Sequence, residues 1–136
     1  MPQGSAISPL LFIIFINDIG VDLHDLIIAS LFADDTSVWV PGERENRKEA
    51  FAQMQTEVGK IMKWMQGWKM SINVDKTRIM VISNTTVDKE TDPKLNADGD
   101  NIKLVESYRF LGVTINNELL FGEHGKTVIK KSRKRV

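Results

Sequence analysis

Between residues 51 and 68 the chain sets Phe51, Met54, Val58, Ile61, Met65 and Trp68 at alternating steps of three and four, the spacing that aligns side chains on one face of an α-helix. The opposite face is charged. Such a helix gains most of its stability by covering its apolar stripe, so the spacing predicts a helix within 43–68 packed on other parts of the same domain. The stripe also fits a short coiled-coil seam. No further heptads extend it, and the core-facing reading is preferred.

With 136 residues and 42% hydrophobic content, the chain holds enough apolar material for one compact domain or part of one. Upstream of the stripe, a turn-prone Pro2-Gln3-Gly4-Ser5 precedes Pro9, which the first turn of a helix tolerates, and Leu10 to Ile19 follow as the predicted helix with Gly20 as its stop. Leu10 to Ile16 are apolar on every side, so this helix is expected to be buried; its Ile and Phe content leaves a strand as the alternative. Leu26 to Phe32 and Thr36 to Val40 read as strands around Ala33-Asp34-Asp35, a β-hairpin with Asp at its tip, where Asp can cap its own backbone and tolerates positive φ. Pro41-Gly42 ends the second strand.

Downstream, a turn at Asn73 to Thr77 leads to Arg78 to Ser83, read as a buried strand. Asp98-Gly99, between Leu95 and Ile102 to Val105, predicts a second hairpin. Tyr108 to Ile115 forms another strand, and Phe121 to Val136 begins a helix. The order is α+β, with no internal repeat.

Composition excludes several classes. There is no cysteine, hence no disulfide scaffold or thiolate metal site, and His24 and His124 are the only imidazoles, which disfavours zinc. The longest apolar run, Pro9 to Ile16, is too short to span a bilayer, and no Lys or Arg precedes it as in a signal peptide. A soluble, intracellular protein without a membrane partner is expected. The formal net charge of zero conceals a division: Met1 to Glu43 carry six acids and no Lys or Arg, against 18 basic and 12 acidic residues in the remainder. An acidic end that holds cations beside a basic surface that tracks phosphates fits this pattern, as does ordinary uneven surface charge.

Asp34 and Asp35 are the chemically informative pair. Two neighbouring carboxylates repel each other unless a cation compensates, and Mg²⁺ takes one or two carboxylates together with water and phosphate oxygens. That donor set is the basis of two-metal phosphoryl transfer. Alone, adjacent aspartates are weak evidence, being more often a solvated turn.

The surrounding residues narrow the choice. Phe32-Ala33-Asp34-Asp35-Thr36 resembles the central catalytic box of reverse transcriptases of non-LTR retrotransposons. Pro2-Gln3-Gly4-Ser5, Ser8-Pro9-Leu10-Leu11-Phe12 and Ile16-Asn17-Asp18 resemble the box before it. Trp64, Trp68, Asn73 and Lys76-Thr77, then Tyr108 with Phe110-Leu111-Gly112-Val113, resemble the next two boxes in order. Four boxes in sequence, covering nearly the whole chain, are far more specific than any one.

The resemblance implies a partial polymerase palm over residues 1–120: helix, hairpin carrying Asp-Asp, long amphipathic helix and further antiparallel strands. A basic segment over 121–136 would begin a thumb. It implies that Asp34 and Asp35 ligate Mg²⁺, or Mn²⁺ in its place, with both residues catalytic. Gln3 and Gly4 would lie near the incoming nucleotide and template, where Gly permits close backbone approach. Lys76 would be the basic residue near the departing pyrophosphate. Phe110, Leu111 and Gly112 would form the hairpin that holds the primer's end. The implied partners are an RNA template, a DNA primer and deoxynucleotide triphosphates, and the implied location is the nucleus.

One expected element has no match. The family's third carboxylate lies on a strand before the Pro-Gln-Gly box, whereas Asp18, Asp22 and Asp25 follow it. These 136 residues are therefore expected to be inactive alone, and exposed apolar surface is expected to promote self-association. Asn17 and Asp18 read as helix-end caps, Trp64 and Trp68 as packing, and Met54, Met62 and Met65 as core filling. Lys126 to Arg135 hold six basic residues and no acid, fitting either phosphate contacts or a solvated helix end. Two alternatives to a polymerase fragment follow: a noncatalytic nucleic-acid-binding module on the palm fold, and a domain that self-associates through the 51–68 stripe.

Overall fold

A computed structural model of the protein describes residues 7–43, 45–83 and 94–133. Their order is α1 (Ser8–Ile16), a 3₁₀ turn (Asn17–Gly20), β1 (Ile28–Phe32), β2 (Asp35–Trp39), α2 (Arg47–Gly67), β3 (Arg78–Ile79), β4 (Asn96–Ala97), β5 (Asp100–Asn101), β6 (Lys103–Leu104), β7 (Ser107–Phe110), β8 (Val113–Asn116) and α3 (Gly122–Arg133). The mixture of helices with small two-stranded sheets bears out the α+β reading. The chain divides into two units: the described residues within Met1–Ile72 and Leu95–Gly99, and those within Asn73–Lys94 and Asp100–Val136.

In the first unit, the predicted helix within 43–68 is α2. It begins at Arg47, after a turn at Glu45 and Asn46. It ends in a Schellman motif, with Lys69 at φ 57 and the Met70 N–H donating to the Met65 carbonyl at 2.8 Å, which satisfies a carbonyl that the helix end leaves without a partner. Its stripe turns inward at Phe51 and Ile61. Ile61 closes a core with Ile16 and Ile19, against which Phe12, Phe15, Leu23, Val38, Trp64 and Met65 pack. Phe15 meets Trp68 edge-on, ring centroids 4.9 Å apart, and Trp64 at 5.5 Å, so Trp64 and Trp68 serve as packing groups. Trp68 is nevertheless 55% exposed. β4 is fastened to α2 through Gln55, whose side-chain amide donates to the Asn96 carbonyl at 2.9 Å and accepts the Asn96 N–H at 2.8 Å. Flanking Asn96, Leu95 and Ala97 are buried.

α1 differs from the sequence expectation. Pro9 sits in its first turn as predicted, but the helix is not buried on all sides. Leu10, Leu11, Ile13 and Ile14 are exposed, and Ile16 is its one buried residue. The cause is that only the Phe12–Phe15–Ile16 side meets the core. β1 likewise exposes all five of its residues.

In the second unit, Arg78 to Ser83 is not a buried strand. Only Arg78 and Ile79 join a ladder, both half-buried, and β3 runs parallel to β6 with Arg78 opposite Lys103 and Ile79 opposite Leu104. The further strands are therefore not all antiparallel. A sequence without a tight turn between two strands leaves their relative direction open, and 78–83 offers no alternation to decide it. The segment 108–115 is two strands rather than one: β7 and β8 pair antiparallel, Tyr108 opposite Ile115 and Phe110 opposite Val113. α3, predicted from Phe121, packs on β8, where the Thr114 N–H donates to His124 Nδ1 at 3.3 Å. Asp98 and Gly99, at φ 52 and 88, reverse the chain between β4 and β5 as the sequence predicts. No helix of the described residues is long and apolar enough to cross a membrane.

Truncation should separate the two kinds of isoleucine. Ile61→Ala is expected to lower the unfolding free energy by about 2–4 kcal/mol through lost burial and a residual cavity, and Ile13→Ala, on the exposed side of α1, by no more than about 0.5 kcal/mol. Urea unfolding of the two variants beside the parent chain checks this.

Candidate active site

The site residues of the first unit depend on strand register. β1 and β2 pair from Ile28 opposite Trp39 to Phe32 opposite Asp35, which leaves Ala33 and Asp34 as a two-residue turn. Asp34 therefore stands on the turn and Asp35 opens β2. Asp at the tip would tolerate positive φ; in the structure the residue that adopts it is Ala33, at φ 50. The pairing is responsible, because it makes Ala33 the first central residue of the turn, and a right-twisted hairpin favours positive φ there. An Ala in that region costs roughly 1–2 kcal/mol that a glycine would not.

Both carboxylates are exposed, as are Phe32 and Ala33 beside them. Among the described residues neither carboxylate takes part in a hydrogen bond or ion pair. Nor do the described residues contain any group of three or more His, Cys, Asp or Glu side chains able to hold a metal. The pair offers hard oxygen donors on adjacent residues, a donor set that suits Mg²⁺ or Mn²⁺ only in part. Further oxygens must complete the shell.

Lys76 lies in the second unit, exposed in the 73–77 turn. Its N–H bonds to both the Asn73 carbonyl (3.1 Å) and Asn73 Oδ1 (3.2 Å), and Thr77 donates to the same carbonyl through N–H and Oγ1. Asn73 thus builds the turn that presents Lys76. Phe110, Leu111 and Gly112 also belong to the second unit. Leu111 and Gly112 form the tight turn between β7 and β8, at φ 48 and 85. A Cβ at Gly112 would meet nothing within 4 Å, so backbone conformation rather than space favours glycine there. Gln3 and Gly4 lie outside the described residues.

The sequence reading missed Glu57. It is the buried charged side chain among the described residues, 2% exposed. It accepts the His24 backbone N–H at 3.2 Å and the Lys60 ammonium at 3.1 and 3.2 Å. Its signal was present: position 57 falls between Met54 and Ile61 at helical spacing, a carboxylate inside an apolar stripe.

The family model for reverse transcriptase (RNA-dependent DNA polymerase) matches residues 1–115. The chain belongs to the reverse transcriptase family. The match takes in the Asp34-Asp35 hairpin, α2, the Lys76 turn and the β7–β8 turn, and bears out the resemblance to reverse transcriptases of non-LTR retrotransposons. The RNA-directed DNA polymerase from mobile element jockey of Drosophila melanogaster is 27% identical over 143 residues, covering 100% of this chain and 15% of the relative. The probable RNA-directed DNA polymerase from transposon X-element of the same species is 24% identical over 139 residues, with 100% and 15% covered. The Pol polyprotein from type-1 retrotransposable element R1 2 of Nasonia vitripennis is 27% identical over 139 residues, covering 99% of this chain and 33% of the relative. The reverse transcriptase segment thus spans between about a seventh and a third of these relatives' lengths. No solved structure matches.

The two turns make opposite stability predictions. Ala33→Gly should stabilise the β1–β2 hairpin by about 0.5–1 kcal/mol by removing the left-handed penalty, and Gly112→Ala should destabilise the β7–β8 hairpin by about 1–2 kcal/mol by introducing it. Amide hydrogen exchange across each strand pair reads both changes.

Proposed function

We propose that this segment forms part of the palm of an RNA-directed DNA polymerase of a non-LTR retrotransposon, residues 1–120 belonging to the palm and 121–136 beginning the thumb. The observation that carries this reading is the Asp34-Asp35 hairpin: a register that sets two adjacent, exposed carboxylates at a tight turn, inside the stretch matched by the family model. Asp34 is the principal ligand of a divalent ion, Mg²⁺ or Mn²⁺, and Asp35 its partner. When bound, the ions supply charge neutralisation on the phosphates and activation of the attacking hydroxyl. The protein's share is to hold the carboxylates on a paired backbone, since positioning and electrostatics dominate phosphoryl transfer.

The remaining assignments follow the family's order of boxes. Lys76 serves near the departing pyrophosphate as proton donor or electrostatic stabiliser. Phe110, Leu111 and Gly112 hold the primer's end, and Gln3 and Gly4 approach nucleotide and template. The partners are RNA template, DNA primer and deoxynucleotide triphosphates, and the working location is the nucleus. The acids at Asp18, Asp22 and Asp25 follow the Pro-Gln-Gly box and match no third ligand, so these 136 residues are not expected to polymerise by themselves.

A second reading is favoured by the surface of α1 and β1. Leu10, Leu11, Ile13 and Ile14 on α1 and Ile28 and Phe32 on β1 are all exposed, and apolar surface left to water favours association. It supports a noncatalytic, self-associating module. Exposed Lys126 and Lys130 on α3 suit a nucleic-acid backbone.

Titrating Mn²⁺ into the chain with a primer–template duplex present tests the first reading. Specific binding that Asp34→Asn abolishes is the expected result; equal binding by both proteins, or by neither, would overturn it in favour of the second. A nucleotide-incorporation assay on the chain alone should stay at background. Incorporation lost in Asp34→Asn would refute the expectation of inactivity.

A further inference from the structure

We infer that Glu57 is the positioning residue for the Asp34-Asp35 turn, acting through a hydrogen-bonded anchor at His24; the inference rests on reading that turn as the metal site.

Glu57 is an expensive choice for its place. It lies on the apolar stripe of α2, between Met54 and Ile61, and is 2% exposed. A carboxylate there loses its hydration, and an aliphatic side chain of similar volume would fill the space at lower cost. What the carboxylate provides is an acceptor aimed at the segment ahead of β1. Its Oε2 takes the His24 N–H at 3.2 Å, and Lys60 Nζ, 3.1 and 3.2 Å from the two oxygens, balances the charge.

His24 is the centre of a small bonded cluster. Its Nδ1 accepts the Leu26 N–H at 3.2 Å, and its carbonyl accepts the Ile27 N–H at 2.8 Å. Through these three bonds Glu57 fixes residues 24 to 27, and β1 begins at Ile28. β1 exposes every one of its residues, so its faces offer the hairpin little purchase. β2 contributes Val38 to the core, near the hairpin's base. The turn therefore projects from holds at that base: Val38 of β2 and Leu23 ahead of β1, both packed on the core, and the Glu57–His24 bond. Residues 25 to 32 separate His24 from the turn, and the strand part, Ile28–Phe32, alone spans about 16 Å at ordinary strand rise, so a small rotation at His24 displaces the carboxylates.

The role predicts a split between stability and site geometry that simple core packing does not. Glu57→Leu fills the same space without a charge and should leave the melting temperature unchanged or higher. It should nevertheless accelerate amide exchange from Leu26 to Phe32 and cause a loss of Mn²⁺ affinity at Asp34-Asp35 relative to the parent chain. Glu57→Gln keeps an oxygen for the His24 N–H and should restore both exchange protection and Mn²⁺ affinity close to the parent chain. Glu57→Leu with parental exchange over Leu26 to Phe32 would overturn the inference, as would Glu57→Gln behaving like Glu57→Leu. If the parent chain itself binds no Mn²⁺, the metal-site reading falls, and the exchange comparison alone decides whether Glu57 anchors the hairpin.

Discussion

The contact of Ile16 and Ile19 with Ile61 is the constraint to which the first unit is referred. One end of it is the short helix and 3₁₀ turn that feed into β1; the other is the middle of α2. That contact fixes the α1 segment, whose one buried residue is Ile16, and it is the core on which Leu23, ahead of β1, and Val38 of β2 pack. Phe15 reinforces it by setting its ring against both Trp64 and Trp68, geometry that contributes beyond area burial. α2 thus acts as the rail along which loop, hairpin and β4 are hung.

The Asp34-Asp35 turn shows how a chemical requirement and a backbone rule can conflict. The register that sets Asp34 on the turn and Asp35 at the start of β2 places a non-glycine residue, Ala33, in the left-handed region. Backbone strain of this kind persists where surrounding structure over-determines it. Here the over-determination is the five-residue ladder between β1 and β2. The tip therefore joins a strained backbone at Ala33 to two exposed carboxylates at Asp34 and Asp35.

Long-period features were legible from the sequence. α2 was readable because its stripe repeats over five turns, and the first hairpin because turn residues lie between two apolar runs. Asp98-Gly99 was readable because that dipeptide suits two successive positive φ values, as the structure has them. The β7–β8 turn was legible only through the family resemblance, which placed a hairpin at Phe110-Leu111-Gly112; by residue pattern Leu111-Gly112 carries only one residue of turn character and its flanks read as one continuous strand. Glu57 escaped notice for a different reason. A charged residue within a helical stripe is ordinarily solvated, and the burial of Glu57 rests on the Lys60 ammonium together with the His24 N–H, which approaches from 33 residues away.

By itself the sequence determined the helices, the Asp34-Asp35 hairpin and the Asp98-Gly99 turn, and it carried the family's boxes in their order, since both are local properties of residue type and spacing. It also determined that two carboxylates would be adjacent. Tertiary structure alone decided which of the turn residues bears the strain, that β3 runs parallel to β6, that α1 covers only one of its sides, and that Glu57 faces inward to hold His24. Each of these depends on a partner distant in the chain, and a one-dimensional pattern has no term for a hydrogen bond or a packed face whose second half is supplied from elsewhere.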